Sequence, residues 1–174
     1  MLHATIPLLG FAAFSGVGKT TLLTQLIPLL KQHGLRVGLI KHGHHDFEID
    51  YPGKDSHRLR MAGASPVMIV SSKRRAIITE ITPEQQPSLD EQLRHFDQSQ
   101  LDLLLVEGFK SEAFPKIELH RPALGQPLLY PDDSHIIAIA SDCPLQTPKH
   151  LPLLDLNHAD SIADFILNQF LGRH

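Results

Sequence analysis

One cysteine, Cys143, is the only thiol in this 174-residue chain. That excludes an intramolecular disulfide and a cysteine-rich zinc site, and it suits a reducing compartment. Long apolar runs are missing too: none approaches the roughly 20 residues that a bilayer-spanning helix needs. Met1–Thr5 holds no Lys or Arg and leads straight into an apolar run, so no secretory signal is expected. Positive charge is not in excess. Sixteen Lys and Arg against 19 Asp and Glu leave a formal net charge of −3, which gives no basis for nonspecific nucleic-acid binding. The chain has no Asn-Lys-x-Asp guanine-reading sequence, no internal repeat and no low-complexity tract. These absences predict a cytoplasmic protein that binds neither membrane nor nucleic acid. Its length suits a single domain over 1–174, large enough to bury a core without cross-links.

Against this plain background one loop stands out. Residues 13–21 read Ala-Phe-Ser-Gly-Val-Gly-Lys-Thr-Thr, a phosphate-binding P-loop with Ala13 at the first glycine position. Gly16 and Gly18 allow a tight turn whose N–H groups, with those of Ser15, Val17 and Thr21, point inward at phosphate oxygens. Lys19 would reach the β- and γ-phosphates, and the Thr20 hydroxyl would join the shell of a bound Mg²⁺. Ala13 adds only a methyl group, which the loop tolerates if φ there is negative. The flanks agree. Ile6–Ala12 is an apolar run suited to a strand buried on both faces, and Leu22, Leu23, Leu26, Ile27, Leu29 and Leu30 recur at helical spacing until Gly34 offers a cap. Pro28 inside that pattern is expected to bend the helix.

Strand-like runs near Thr5–Ala12, Arg36–Lys41, Leu101–Val106, Lys116–Leu119, Ile136–Ala140 and Leu151–Leu156 interleave with helical ones at Thr20–His33, Asp55–Ala62, Ser88–Gln98 and Ala159–Leu171. Ser88 and Glu91 form a capping-box pattern, and Asn157 is the expected cap of the last helix. The alternation predicts an α/β fold of the P-loop NTPase three-layer type, a mostly parallel sheet with helices on both faces. Pro66–Thr82 breaks the alternation. It reads as two strands joined at Ser72–Arg75, an antiparallel hairpin inserted into or appended to the sheet.

Ligands of open parallel sheets sit beyond the carboxyl ends of the strands, and that rule sorts the remaining candidates. The run 101–110 carries Asp102 at its start and Glu107 at its end. At about 3.3 Å per residue these lie roughly 16 Å apart, so only Glu107 can hold Mg²⁺ or orient a water. The loop after the second strand opens on the same side. It holds His42, His44, His45, Asp46, Asp50, Lys54, Asp55 and Arg58, a segment suited to reporting the γ-phosphate or holding an anionic second substrate. Asp46, Asp50 or Asp55 could supply a metal contact. The three histidines also permit a transition-metal reading, though no recognisable zinc spacing accompanies them. Asp142, after the strand at 136–140, could accept from a guanine edge or cap a turn before Pro144.

The strings SGVGKTTL (15–22), KHGHHDFEIDYPGKDSHRLRMAGA (41–64), LLLVEGFK (103–110) and PKIEL (115–119) together resemble the MobB family of molybdopterin-guanine dinucleotide biosynthesis adapter proteins. The resemblance covers nearly the whole chain. It implies a GTP-binding protein with weak Mg²⁺-dependent GTPase activity, dimeric through its extra strands, acting beside the guanylyltransferase MobA and near molybdopterin or the molybdenum cofactor. Lys19 and Glu107 would then carry the catalytic roles. Two alternatives stand beside it: a P-loop small-molecule kinase, and a nucleotide-gated adapter in which hydrolysis is incidental. The clustered arginine-finger candidates, Arg58, Arg60 and the Lys73–Arg75 turn, give no clear catalytic arginine, so turnover is expected to be slow.

Overall fold

The computed structural model describes residues 2–43, 47–81 and 87–173. The chain divides into two compact units, Met1–His42 with Ser88–His174, and Gly43–Pro87. Its strands are β1 Leu8–Ala12, β2 Val37–Lys41, β3 Val67–Val70, β4 Arg75–Ile78, β5 Leu103–Glu107, β6 Lys116–His120, β7 Ile136–Ser141 and β8 Leu153–Asp155. In the first unit six of them form a sheet in the order β2-β5-β1-β6-β7-β8, with every pairing parallel. The helices are α1 Lys19–Gln32, α2 Asp55–Met61, α3 Leu89–His95 and α4 Ala159–Asp164.

The apolar runs become the central strands because both faces of the sheet are covered. Leu9, Phe11, Leu103, Leu105 and Ile117 pack with Leu22, Leu23, Leu26 and Leu30 of α1 and with Ile162 and Ile166. On the opposite face Leu8, Leu104 and Val106 pack with Leu89 and Leu93 of α3 and with Phe109 and Phe114. α1 ends as its sequence implies. Gly34, at φ 79°, lets its own N–H reach Lys31 O and the Leu35 N–H reach Leu30 O, at 3.0 and 3.2 Å. The helix is continuous through Pro28, which lies on its exposed side.

Residues 108–115 carry the chain from β5 to β6, and β1 lies between those two strands. No helix spans this connection; it packs directly on β1. A Cβ at Gly10 would lie 2.4 Å from Phe114 Cε2, so a side chain there would displace the crossover. Buried Lys116 fastens it from the other end, donating from Nζ to the carbonyls of Lys110 and Glu112 and to Asp133 Oδ2 at 2.6–2.8 Å. Burial alone would raise the Asp133 pKa, but the hydrogen bond and charge of Lys116 hold it low.

Three sequence expectations need correction. The hairpin β3–β4 is antiparallel but forms its own two-stranded sheet, because its pairing is closed locally by the Ser71–Arg74 turn and draws on no strand of the larger sheet. The last helix starts from His158, not Asn157, whose side chain instead accepts from Arg121. Beyond Asp164 it loosens into π-helical bonding over Phe165–Phe170. Of the capping box, the forward half forms, with Ser88 Oγ accepting from the Glu91 N–H at 3.2 Å.

Candidate functional site

The parallel register sets the ends of three strands side by side. Phe11 of β1 stands opposite Glu107 of β5, and Lys41 of β2 stands opposite Glu107 from the other side. Beyond β1 the chain turns through the glycine loop. Gly16 (φ 81°) and Gly18 (φ 104°) occupy the left-handed region that a side chain would strain. Among the described residues Phe109 is the only non-glycine with positive φ, so Ala13 meets the condition under which its methyl group is tolerated.

Ser15, Gly16, Gly18, Lys19, Thr20, Thr21 and Glu107 line one cavity of about 300 Å³. Lys19 Nζ donates to Ala13 O at 3.4 Å, and Lys41 Nζ lies 3.3 Å from Glu107 Oε2. Lys110 Nζ sits over the Phe14 ring, 5.6 Å from its centre. Burial lowers the Lys19 pKa; Glu107 opposes that shift, while Lys110 and Lys41 add to it. Among the described residues, the ammonium groups of Lys41 and Lys110 and the carboxylate of Glu107 thus all act on Lys19, the first residue of α1. The arrangement favours a multiply charged anion. Mg²⁺ takes oxygen ligands and keeps several waters, and the Thr20 hydroxyl and the Glu107 carboxylate on one cavity wall fit that demand.

The turn that aims Glu107 is closed by His42. A Cβ on Gly108 (φ 102°) would come 2.6 Å from His42 Cβ, and the His42 ring stacks on Phe109 with centroids 4.6 Å apart. Asp102, at the opposite end of β5, has a different task. Arg36 donates to it from its backbone N–H, Nε and Nη2 at 2.8–3.1 Å and holds its pKa down to about 2.

Other candidates lie elsewhere. The Val17 side chain is buried in the core, and its carbonyl accepts from Arg121 Nε at 2.8 Å. Asp142 Oδ2 accepts from Arg121 Nη1 at 2.7 Å, while Oδ1 is buried with no hydrogen-bond partner among the described residues. Arg121 was missed by sequence reasoning; its one signal is its place at the carboxyl end of β6. His44, His45 and Asp46 fall outside the described residues. Asp50, Lys54, Asp55 and Arg58 belong to the second unit. There Asp50 is buried and accepts from the Tyr51 N–H and Ser56 Oγ, Lys54 precedes α2, and Asp55 and Arg58 are exposed on it. Arg60 is held between Glu48 and Glu80. Among the described residues no group of three or more His, Cys, Asp and Glu is arranged to hold a metal ion.

Comparison with known proteins adds an independent line. The family model described as MobB, molybdopterin guanine dinucleotide synthesis protein B, matches residues 8–142. The chain is 50% identical over 163 residues to the molybdopterin-guanine dinucleotide biosynthesis adapter protein of Escherichia coli K12, covering 93% of this chain and 92% of that one. It is 48% identical over 168 residues to the adapter protein of the same description from Haemophilus influenzae, covering 96% and 91%. A crystal structure of molybdopterin-guanine biosynthesis protein B matches with a TM-score of 0.72 at 27% identity, covering 92% of this chain and 97% of the other. The glycine loop, the parallel sheet behind it and these near end-to-end matches agree, and the chain belongs to the MobB family.

Proposed function

We propose that the protein is a GTP-binding adapter of molybdopterin guanine dinucleotide biosynthesis, working beside the guanylyltransferase MobA and hydrolysing GTP slowly with Mg²⁺. One observation carries the nucleotide part of this reading: the glycine loop, Lys19, Thr20 and Glu107 converge on one cavity at the carboxyl end of β1 and β5. The loop N–H groups and Lys19 bind the β- and γ-phosphates. Thr20 and Glu107 hold Mg²⁺, which supplies charge neutralisation of the phosphates when bound. Glu107 also orients a water toward the γ-phosphate, and Lys41 and Lys110 add charge at the rim. Arg60 is occupied by two glutamates, which agrees with slow turnover. Asp142 is the acceptor for a guanine edge. His42, His44, His45, Asp46, Asp50, Lys54, Asp55 and Arg58 form the segment that responds to the γ-phosphate or meets the pterin phosphate.

Membership of a family whose relatives are described as adapter proteins supports the adapter role. The hairpin supports homodimerisation, because Met68, Val70 and Ile77 leave one of its faces exposed and apolar. Lys19→Ala tests the nucleotide reading. Loss of a charge-assisted phosphate contact is expected to weaken GTP binding by about 10- to 100-fold in calorimetry. An unchanged affinity would overturn the assignment. Inorganic phosphate as the product of turnover, rather than a phosphorylated acceptor, separates this reading from a kinase.

A further inference from the structure

A smaller cavity of about 100 Å³ adjoins the one described above and shares Gly18 and Thr21 with it. Its remaining wall includes Gln25 of α1, Arg121 after β6, and Leu156 and Asn157 after β8. A nucleotide anchored by its phosphates on Lys19 and the glycine loop has to direct its nucleoside away from Glu107. Gly18 and Thr21 line both cavities, so a ligand held by its phosphates in one has the other beside it.

Arg121 is fixed in place from three directions. Nε donates to Val17 O at 2.8 Å, Nη1 to Asp142 Oδ2 at 2.7 Å and Nη2 to Asn157 Oδ1 at 3.3 Å. About a third of its side chain, 31%, stays exposed. A planar cation immobilised this way offers a stacking surface that loses little entropy when a ring settles on it. Leu156 adds apolar contact, and the amides of Gln25 and Asn157 offer hydrogen bonds to ring edges or ribose hydroxyls. We propose that this cavity is the nucleoside subsite, with Arg121 as the surface on which the purine lies. The proposal rests on phosphate anchoring by residues 15–21. It gives Asp142 a second task, that of orienting Arg121.

Calorimetry with GTP and with inorganic tripolyphosphate, both with Mg²⁺, separates the two parts of a nucleotide. Arg121→Ala removes the platform. Gln25→Trp fills the cavity from an exposed position of α1 and leaves the Val17 contact intact. Each variant is expected to bind GTP about tenfold more weakly or worse, the scale of one lost base-stacking contact, while Gln25→Trp binds tripolyphosphate within about twofold of wild type. Wild-type affinity for GTP in Gln25→Trp would overturn the subsite. So would equal losses of GTP and tripolyphosphate in Arg121→Ala, which would reduce Arg121 to a brace for the loop. If the wild-type protein binds neither compound, the phosphate reading itself fails and the subsite falls with it.

Discussion

The two units of this chain treat apolar residues in opposite ways. In the sheet unit both faces of β1 and β5 are covered, and Leu9, Leu103, Leu104, Leu105 and Val106 are fully buried. In the hairpin unit no described apolar residue is fully buried. Phe47, Tyr51, Leu59, Met61, Met68, Val70 and Ile77 are each more than half exposed. A two-stranded hairpin with a seven-residue helix is too small to bury its own apolar surface. The sheet unit is therefore stabilised by its own core, whereas the hairpin unit presents a surface suited to a partner.

Breaking each side of this contrast should have distinct consequences. The largest effect is expected from Leu105→Ala in the middle of β5, where a cavity opens under full burial: about 2–5 kcal/mol in urea denaturation. A loss below about 1 kcal/mol would contradict the packing described. Next comes the hairpin. Met68 and Ile77 face each other across β3 and β4, so Met68→Lys with Ile77→Glu replaces an apolar pair by an opposite-charge pair and preserves the strand pairing. Sedimentation should show at least a tenfold weaker self-association, with the denaturation midpoint of the sheet unit unchanged. A dimer of undiminished affinity would remove the hairpin from the interface.

The smallest effect concerns Asp102, the acid that immediately precedes β5. Arg36 holds the Asp102 pKa at about 2, below the ordinary 3.8, so its stabilising contribution is present above about pH 4 and is lost as pH falls toward 2. Asp102→Asn is expected to lower the denaturation midpoint slightly at pH 7, to converge with wild type near pH 2 and to leave GTP affinity unchanged. Weakened nucleotide binding in this variant would mean that the far end of the strand reaches the site.

Much of the sheet unit was legible because its signals are local. The apolar run before residue 13, the leucine spacing of α1 and the position of Gly34 each follow from backbone chemistry within a few residues. The choice of Glu107 over Asp102 needed only strand rise and the carboxyl-end rule. Arg121 was not legible. Its contacts to Val17, Asp142 and Asn157 span 104, 21 and 36 residues of sequence, and nothing in His120-Arg121-Pro122 announces them. The buried charges of β6 were equally hidden. Lys116 and Glu118 lie in a run that reads as an ordinary strand, yet both are almost wholly buried. Glu118 accepts from the Leu129 and Tyr130 N–H groups, and burial raises its pKa against the pull of those bonds.

By itself, then, the sequence determined the elements, the glycine loop and the strand end that answers it, because propensity, periodicity and left-handed glycines act over short stretches of chain. Tertiary structure decided which distant groups meet. It set a helix-free crossover against Gly10, tied Lys116 to Asp133, and locked Arg121 between the glycine loop and Asp142. It also paired the hairpin strands with each other in a two-stranded sheet of their own. These outcomes depend on strand order and close packing, properties that arise only when segments far apart in sequence share one interior.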